Sequence, residues 1–343
     1  MPRTPLLKML FWLIPAWLCM GSGERGNDER TSIRLGFYNV ENLFHPSDDS
    51  LTMDEAFTPS GEQHWSYSRY QEKLVNTSKV IMALGEWQGV TALGLCEIEN
   101  RKVLEDLTAR TPLKSKPWGI IHHDSHDPRG IDVGLIYRKD RLTILYDSAI
   151  AVVPPNSNYQ SRDILYVKAL AYASDTLHLF INHWPSRRGG QQVSEHKRIG
   201  AAKILRACMD SILIRDSLAM IISMGDFNDG PHNTSISKIL DAGSMPPHRF
   251  QHAMSHAPPT TGTHRYDGQW EILDQIIVSP SLSNGHSGWK SGEGQIFRKD
   301  FLMTEDLTHG GQKPWRTFTG PKYIGGFSDH LPVFVDLQPV NHP

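Results

Sequence analysis

The polar residues of this 343-residue chain with the most chemical potential sit in or just beyond short apolar, strand-like runs: Asn39, Glu97, His183, Asp226, Asn228, Asp274, Asp329 and His330. Strand ends are where α/β proteins assemble their sites. In Phe37-Tyr38-Asn39-Val40-Glu41, an amide and a carboxylate fall on one side of a strand end, where together they can hold a hydrated cation. Glu97 closes the apolar run Leu93-Gly94-Leu95-Cys96. Magnesium and manganese take hard oxygen ligands and keep several waters, so one or two such carboxylates suffice; the neighbouring Glu99 is expected to bond locally or face solvent. Gly225-Asp226-Phe227-Asn228 leaves a strand through a glycine that permits a tight exit. Asp226 and Asn228 then project to one side of an extended chain and can orient and deprotonate a water.

In Ser328-Asp329-His330-Leu331-Pro332, the imidazole has a distant partner in Asp274 that can orient or charge it. His183 is followed by Arg187, Arg188 and a glycine pair, and the planar guanidiniums suit phosphate oxygens. Taken singly, each segment is explained as well or better by a turn, a helix cap or a structural Asp and His pair. Their number and shared placement point to chemistry.

The elements that must position these groups read as an alternation of short strands and helices. Strands are expected over Ile33–Val40, Val90–Cys96, Val133–Tyr137, Ile164–Ala171, Leu177–Asn182, Ala219–Ser223, Ile272–Val278 and Val333–Leu337. Tyr70, Leu74, Ile81 and Leu84 recur at helical spacing, and Glu195–Arg215 is the longest expected helix, its apolar face formed by Ile199, Ala202, Leu205, Met209 and Ile212. Many strands with few long helices imply packed sheets flanked by helices, in one domain without internal repeats.

Composition bounds the rest. A hydrophobic content of 39% with 21% charged residues is that of a globular enzyme, and a net charge of −2 argues against a broad nucleic-acid-gripping face while leaving room for a local basic cleft. Arg3 and Lys8 precede an apolar run, Met9 to Met20, that is too short to span a membrane comfortably and gives way to Gly21-Ser22-Gly23. Residues 1–23 are therefore expected to be a secretory signal and 24–31 a linker, leaving a domain over 32–340 of a periplasmic, extracellular or surface-attached protein. Cys19 is a lipid-attachment candidate, but Ala16-Trp17-Leu18 lacks the small residue wanted before it. Cys96 and Cys208 are read as buried thiols, not a disulfide framework or a nucleophile. His122, His123 and His126 raise a zinc site, yet no cysteine or glutamate lies at ligand spacing, so they read as a polar loop.

The segments around Asn39, Glu97, His183, Asp226, Asp274 and Asp329-His330, in this order, resemble the motifs of the endonuclease/exonuclease/phosphatase superfamily; Gly-Asp-Phe-Asn and Ser-Asp-His-Leu-Pro are the most specific. The match spans about Ile33 to Leu337 and lies nearest the deoxyribonuclease-like and bacterial exported branches. The resemblance implies a four-layer α/β/β/α sandwich of two mixed sheets. It implies that Asn39 and Glu97 help to hold Mg2+ or Mn2+, with Asp329 the second carboxylate on the metal side. Asp226 and Asn228 would position the attacking water, His183 would contact phosphate or protonate the leaving group, and Asp274 with His330 would form a coupled pair. Arg129, in Arg129-Gly130-Ile131-Asp132-Val133-Gly134, resembles a phosphate contact. Glu41 departs from the pattern, standing where several nuclease branches carry Asp, and Ser291 to Gly326 is a long insertion.

The expected function is single-step hydrolysis of a phosphoester in nucleic acid, a nucleotide or a phospholipid, by a monomer needing no protein partner. Near an anionic phosphate both histidines are expected to gain a proton more easily than free histidine. Nuclease or phosphodiesterase activity is the first expectation, and a phosphatase or lipid phosphodiesterase the alternative. Gly262-Thr263-His264-Arg265-Tyr266 through Trp270, with Trp315-Arg316, would supply stacking surface. A catalytically dead phosphate or glycan binder is the non-enzymatic rival; retention of the water-activating Asp, the metal Glu and both histidines speaks against it.

Overall fold

The computed structural model describes residues 31–153, 161–244, 246–258 and 260–340; residues 1–23, expected to be a signal, and residues 24–30 of the expected linker lie outside these. Along the chain come β1 (Ile33–Leu43), α1 (Tyr67–Gly85), β2 (Ala92–Ile98), α2 (Arg101–Ala109), β3 (Trp118–His122), β4 (Asp132–Arg138), β5 (Leu142–Ile150), β6 (Ile164–Ala171), β7 (Asp175–His183), α3 (Gln191–Arg215) and β8 (Met220–Asp226). Shorter elements follow: β9 (Ala242–Gly243), β10 (Phe250–His252), β11 (His264–Tyr266), β12 (Gln269–Glu271), β13 (Asp274–Val278), α4 (Pro280–Asn284), β14 (Trp289–Ser291) and β15 (Gln295–Ile296). The chain ends through β16 (Met303–Glu305), β17 (Gln312–Pro314), β18 (Phe318–Thr319), β19 (Lys322–Tyr323) and β20 (Val333–Pro339).

One sheet runs β14-β20-β1-β2-β4-β3, with β15 also on β20; the other runs β5-β6-β7-β8-β13-β10-β9. Both are mixed, with β1 and β2 parallel in the first and β7 and β8 parallel in the second. Alternation along each strand sends one set of apolar side chains inward, so Leu35, Phe37, Leu135, Leu179, Ile181, Ile222, Met224, Ile276 and Val335 join in a core between the sheets. The outer face of the first sheet is covered by α1 and α2 through Tyr70, Leu74, Ile81, Leu84, Val103, Leu104 and Leu107. Ala202, Leu205, Met209 and Ile212 of α3 cover the second sheet. The result is the four-layer α/β/β/α sandwich, held mainly by burial worth about 1.5–3 kcal/mol for each large aliphatic side chain.

Several elements had no counterpart in the sequence reading. The edge strand β5 alternates weakly and leaves Leu145 and Tyr146 exposed. The short helix α2 begins at Asn100, whose side chain accepts from the Val103 N–H as a cap. The 291–326 insertion folds into β15 and two hairpins. The β16–β17 hairpin docks on β11–β12, where Arg265 donates to the Gln312 carbonyl at 2.9 Å. The return of the insertion is tied to α1, with Lys73 donating to Thr317 Oγ1 and, at 2.6 Å, to the Phe327 carbonyl.

Candidate active site

Strand register brings the acidic and basic groups together. In the parallel pair β7–β8, His183 stands opposite Asp226, and in the antiparallel pair β8–β13, Asp274 stands opposite the same Asp226. In the facing sheet, Asn39 of β1 pairs with Cys96 of β2, one residue before Glu97. Both of those strands lose their regular pairing at this end. Glu41, Asn42 and Glu97 take φ of 53°, 56° and 59°, a left-handed backbone costly for residues with a Cβ. Strain of this kind, held by surrounding structure, turns side chains toward a site.

Asp226 lies at the centre. Its Oδ1 accepts from the Asn228 N–H at 2.9 Å and its Oδ2 from Asn39 Nδ2 at 3.1 Å. The Nε2 atoms of His183 and His330 lie 3.7 and 3.9 Å from that Oδ2. Asn39 Nδ2 also reaches Glu97 Oε1 at 3.3 Å, and Glu97 Oε2 accepts from the Asn42 N–H at 3.0 Å. Burial raises the Asp226 carboxyl above the usual range, and burial together with Asp329 does the same to Glu97. Such uncompensated buried acidity is relieved by a cation, and its oxygen donors suit Mg2+ or Mn2+. Asp329 completes this side. Burial would raise it as well, but His330 and Arg316 outweigh that and hold it below the ordinary value.

Without phosphate beside them, the two histidines differ. Burial pushes the His183 imidazole well below its usual value, reinforced by Arg162 and Arg129. For His330, burial is overcome by Asp274, whose Oδ2 lies 2.6 Å from Nδ1, and by Asp226, so this ring is driven well above its usual value. His183 is therefore the neutral imidazole and His330 the cationic one near neutral pH.

Other expectations need correction in detail. Asn39 does not turn its oxygen to the cation position. Oδ1 accepts from the Glu41 N–H at 2.9 Å, so the amide offers its NH2 to both carboxylates and sets their spacing. Glu41 does not share a cation site with Asn39; it is buried, accepts from Arg316 Nε at 3.2 Å and the Thr317 N–H at 2.6 Å, and is pushed up to about 7 by burial and Asp329. Asn228 does not continue an extended chain. Its φ is 50°, and its side chain donates to the Trp184 carbonyl at 3.0 Å, so it fixes the loop carrying His183.

Arg187 is held within the protein, Nε on the Asn228 carbonyl at 2.7 Å and Nη1 on Glu271 at 2.5 Å, and its side chain is only 20% exposed. Arg188 is exposed. Arg129 is half-exposed, with Nε 3.4 Å from Asp127. Glu99 is buried and accepts from the His45 N–H. Cys96 is fully buried, Cys208 partly so, and both are free thiols raised by burial. His122 and His123 pair with Asp132 and Asp147.

Three groups at the site were missed as site residues. His264 packs against His330 with ring centroids 4.7 Å apart, and its ligand atom, with those of Asp329 and His330, falls in one potential metal-holding group. Burial lowers it to about 4. Arg316, carried by the insertion, donates to Asp329 Oδ2 at 2.9 Å. Buried Arg162 ties Asp127 at 2.8 Å to the Trp184 carbonyl at 2.6 Å, bracing the loops of Arg129 and His183. His264 and Arg316 lie in segments noticed for their aromatic neighbours; their own polarity was the available signal.

Fold and site together define a class, and sequence comparison agrees. The model of the endonuclease/exonuclease/phosphatase family matches residues 34–339, and the chain belongs to that family. No curated protein matches it. Among solved structures, a mannosyl-6-phosphatase from Bacteroides thetaiotaomicron is similar with a TM-score of 0.55 and 14% identity, covering 89% of this chain and 99% of that one. A family protein from the same organism gives 0.52 and 14%, covering 91% and 99%. The human nocturnin catalytic domain with bound sulfate gives 0.52 and 16%, covering 90% and 95%. At these identities the likeness is one of fold.

Proposed function

We propose that this protein is an exported, divalent-metal-dependent phosphoester hydrolase that attacks phosphorus directly with an activated water. The observation that carries the reading is the convergence on Asp226 of Asn39, His183 and His330, with Glu97 reached through the same Asn39 amide. Glu97 and Asp329 would hold Mg2+ or Mn2+, which when bound would neutralise the charge developing on the phosphoryl oxygens. Asp226 accepts the proton of the attacking water, its raised affinity for protons suiting it to the task. Neutral His183 donates a hydrogen bond to a phosphoryl oxygen, and His330, kept charged by Asp274, binds phosphate and delivers a proton. The gathering of Glu97, His183 and His330 about Asp226 speaks against a binding protein without turnover.

Nuclease or phosphodiesterase action keeps its place as a reading, but Arg187, paired with Glu271 and only 20% exposed, adds little to it. The test is hydrolysis of plasmid DNA, RNA, sphingomyelin, bis-p-nitrophenyl phosphate and p-nitrophenyl phosphate, with Mg2+ or Mn2+ and with chelator. Metal-dependent turnover of at least one is expected; no turnover under any condition would count against it.

A further inference from the structure

Two arginines approach the acidic cluster from separate loops and are built alike. Arg129 is held through Nε by Asp127, itself fixed by buried Arg162; Arg316 is held through Nε by buried Glu41 at 3.2 Å. Each side chain keeps nearly half its surface exposed, 46% and 44%, on a stem tethered at Nε. Arg316 Nη2 reaches Asp329 at 2.9 Å, and Nη1 has no partner among the described residues. Glu97 is close enough to both arginines to feel their charge. A guanidinium fixed at Nε with a terminal N–H group still free is a natural partner of phosphate oxygens that carry more than one charge.

Resting on the phosphoesterase reading, the geometry points to Arg316, delivered by the insertion, as the residue that selects a terminal phosphate, a phosphomonoester, over a diester. A diester presents two non-bridging oxygens and one charge; a monoester presents three and close to two. The histidines, Arg129 and the cation serve the oxygens common to both. The third oxygen of a monoester needs a further fixed donor, and Arg316 supplies it from the side of Asp329. Glu41 is what makes this possible: its left-handed backbone and burial place a carboxylate behind the guanidinium, with Lys73 close enough to feel its charge. Arg316 is thus held at Nε and Nη2, with Nη1 left to meet a ligand.

The experiment compares p-nitrophenyl phosphate with bis-p-nitrophenyl phosphate, a monoester and a diester with the same leaving group, for wild type, Arg316→Ala and Arg316→Lys, with Mg2+ and with thermal melting of each protein. The wild type is expected to favour the monoester. Arg316→Ala should lower kcat/KM for the monoester about ten- to hundred-fold, mainly through KM, and lower that for the diester about tenfold less. Arg316→Lys, which keeps the charge behind Glu41 satisfied, should fold as the wild type does and recover part of the monoester activity; if the alanine variant fails to fold, the lysine variant's monoester-to-diester ratio decides. Equal losses on both compounds, or a wild-type preference for the diester, would overturn the proposal. Absence of metal-dependent turnover of both compounds by the wild type would instead overturn the phosphoesterase reading on which it rests.

Discussion

Asp274 is fully buried, and among the carboxylates around His330 it does most to hold that ring's charge. Its Oδ2 holds His330 Nδ1 at 2.6 Å in a buried setting, where a neutral partner could not stabilise the imidazolium. Replacing it by asparagine removes one of the three carboxylates that raise His330, the others being Asp226 and Asp329, so the ring loses its proton at a lower pH. If the cationic ring is the working form, activity disappears as pH rises through that value. Asp274→Asn should therefore lower kcat about 10²-fold and move the basic limb of the pH–rate profile to lower pH; an unmoved limb would separate His330 from that limb. At this scale residue types and strand-end placement were readable, because carboxylates and imidazoles after apolar runs are visible as such. Side-chain direction was not. Asn39 offers its NH2 in place of its oxygen because the Glu41 N–H captures Oδ1 across a backbone irregularity that no local sequence pattern encodes.

Strand registers, more than any single side chain, keep the site assembled. Gly225 of β8 lies against β7 so closely that a Cβ there would stand 2.4 Å from the Asn182 carbonyl oxygen. Because His183 and Asp226 are the next residues of these strands, any splaying at Gly225 separates imidazole from carboxylate. Gly225→Ala is predicted to destabilise the protein by about 1–3 kcal/mol and to lower kcat in the fraction that folds, read by denaturant titration and kinetics on one sample. Full stability with full activity would show that the two strands tolerate a wider spacing. The strands with one continuous apolar run, and the helices with a regular face, were legible because periodicity reports burial directly. The edge strand β5, half in solvent, gives no such signal. The insertion read as a gap in the pattern, since its hairpins gain their stability from Lys73, Asn76 and Arg265 in distant segments.

For the molecule as a whole, pH acts on stability as well as on catalysis. His252 is fully buried behind Gln275, its Nε2 2.7 Å from Oε1, and burial lowers it from 6.5 to about 4. The unfolded chain protonates this ring near 6.5 while the folded protein keeps it neutral, so unfolding takes up a proton in that interval. Its contribution is intact above about pH 6.5 and is lost as pH falls toward 4, up to about 3 kcal/mol in full. His252→Asn should flatten the fall in unfolding free energy between pH 7 and 5, measured by urea titration, whatever its effect at pH 7; an unchanged slope would assign the acid sensitivity to other groups. The central claim is tested most directly by kcat for the most readily cleaved phosphoester, with saturating Mg2+, of the protein lacking residues 1–23 and its Asp226→Ala variant. A loss of about 10³-fold in a variant that melts as the wild type does, with wild-type turnover abolished by chelator, is the predicted result. A variant that turns over at the wild-type rate, or a wild type indifferent to chelator, would contradict it.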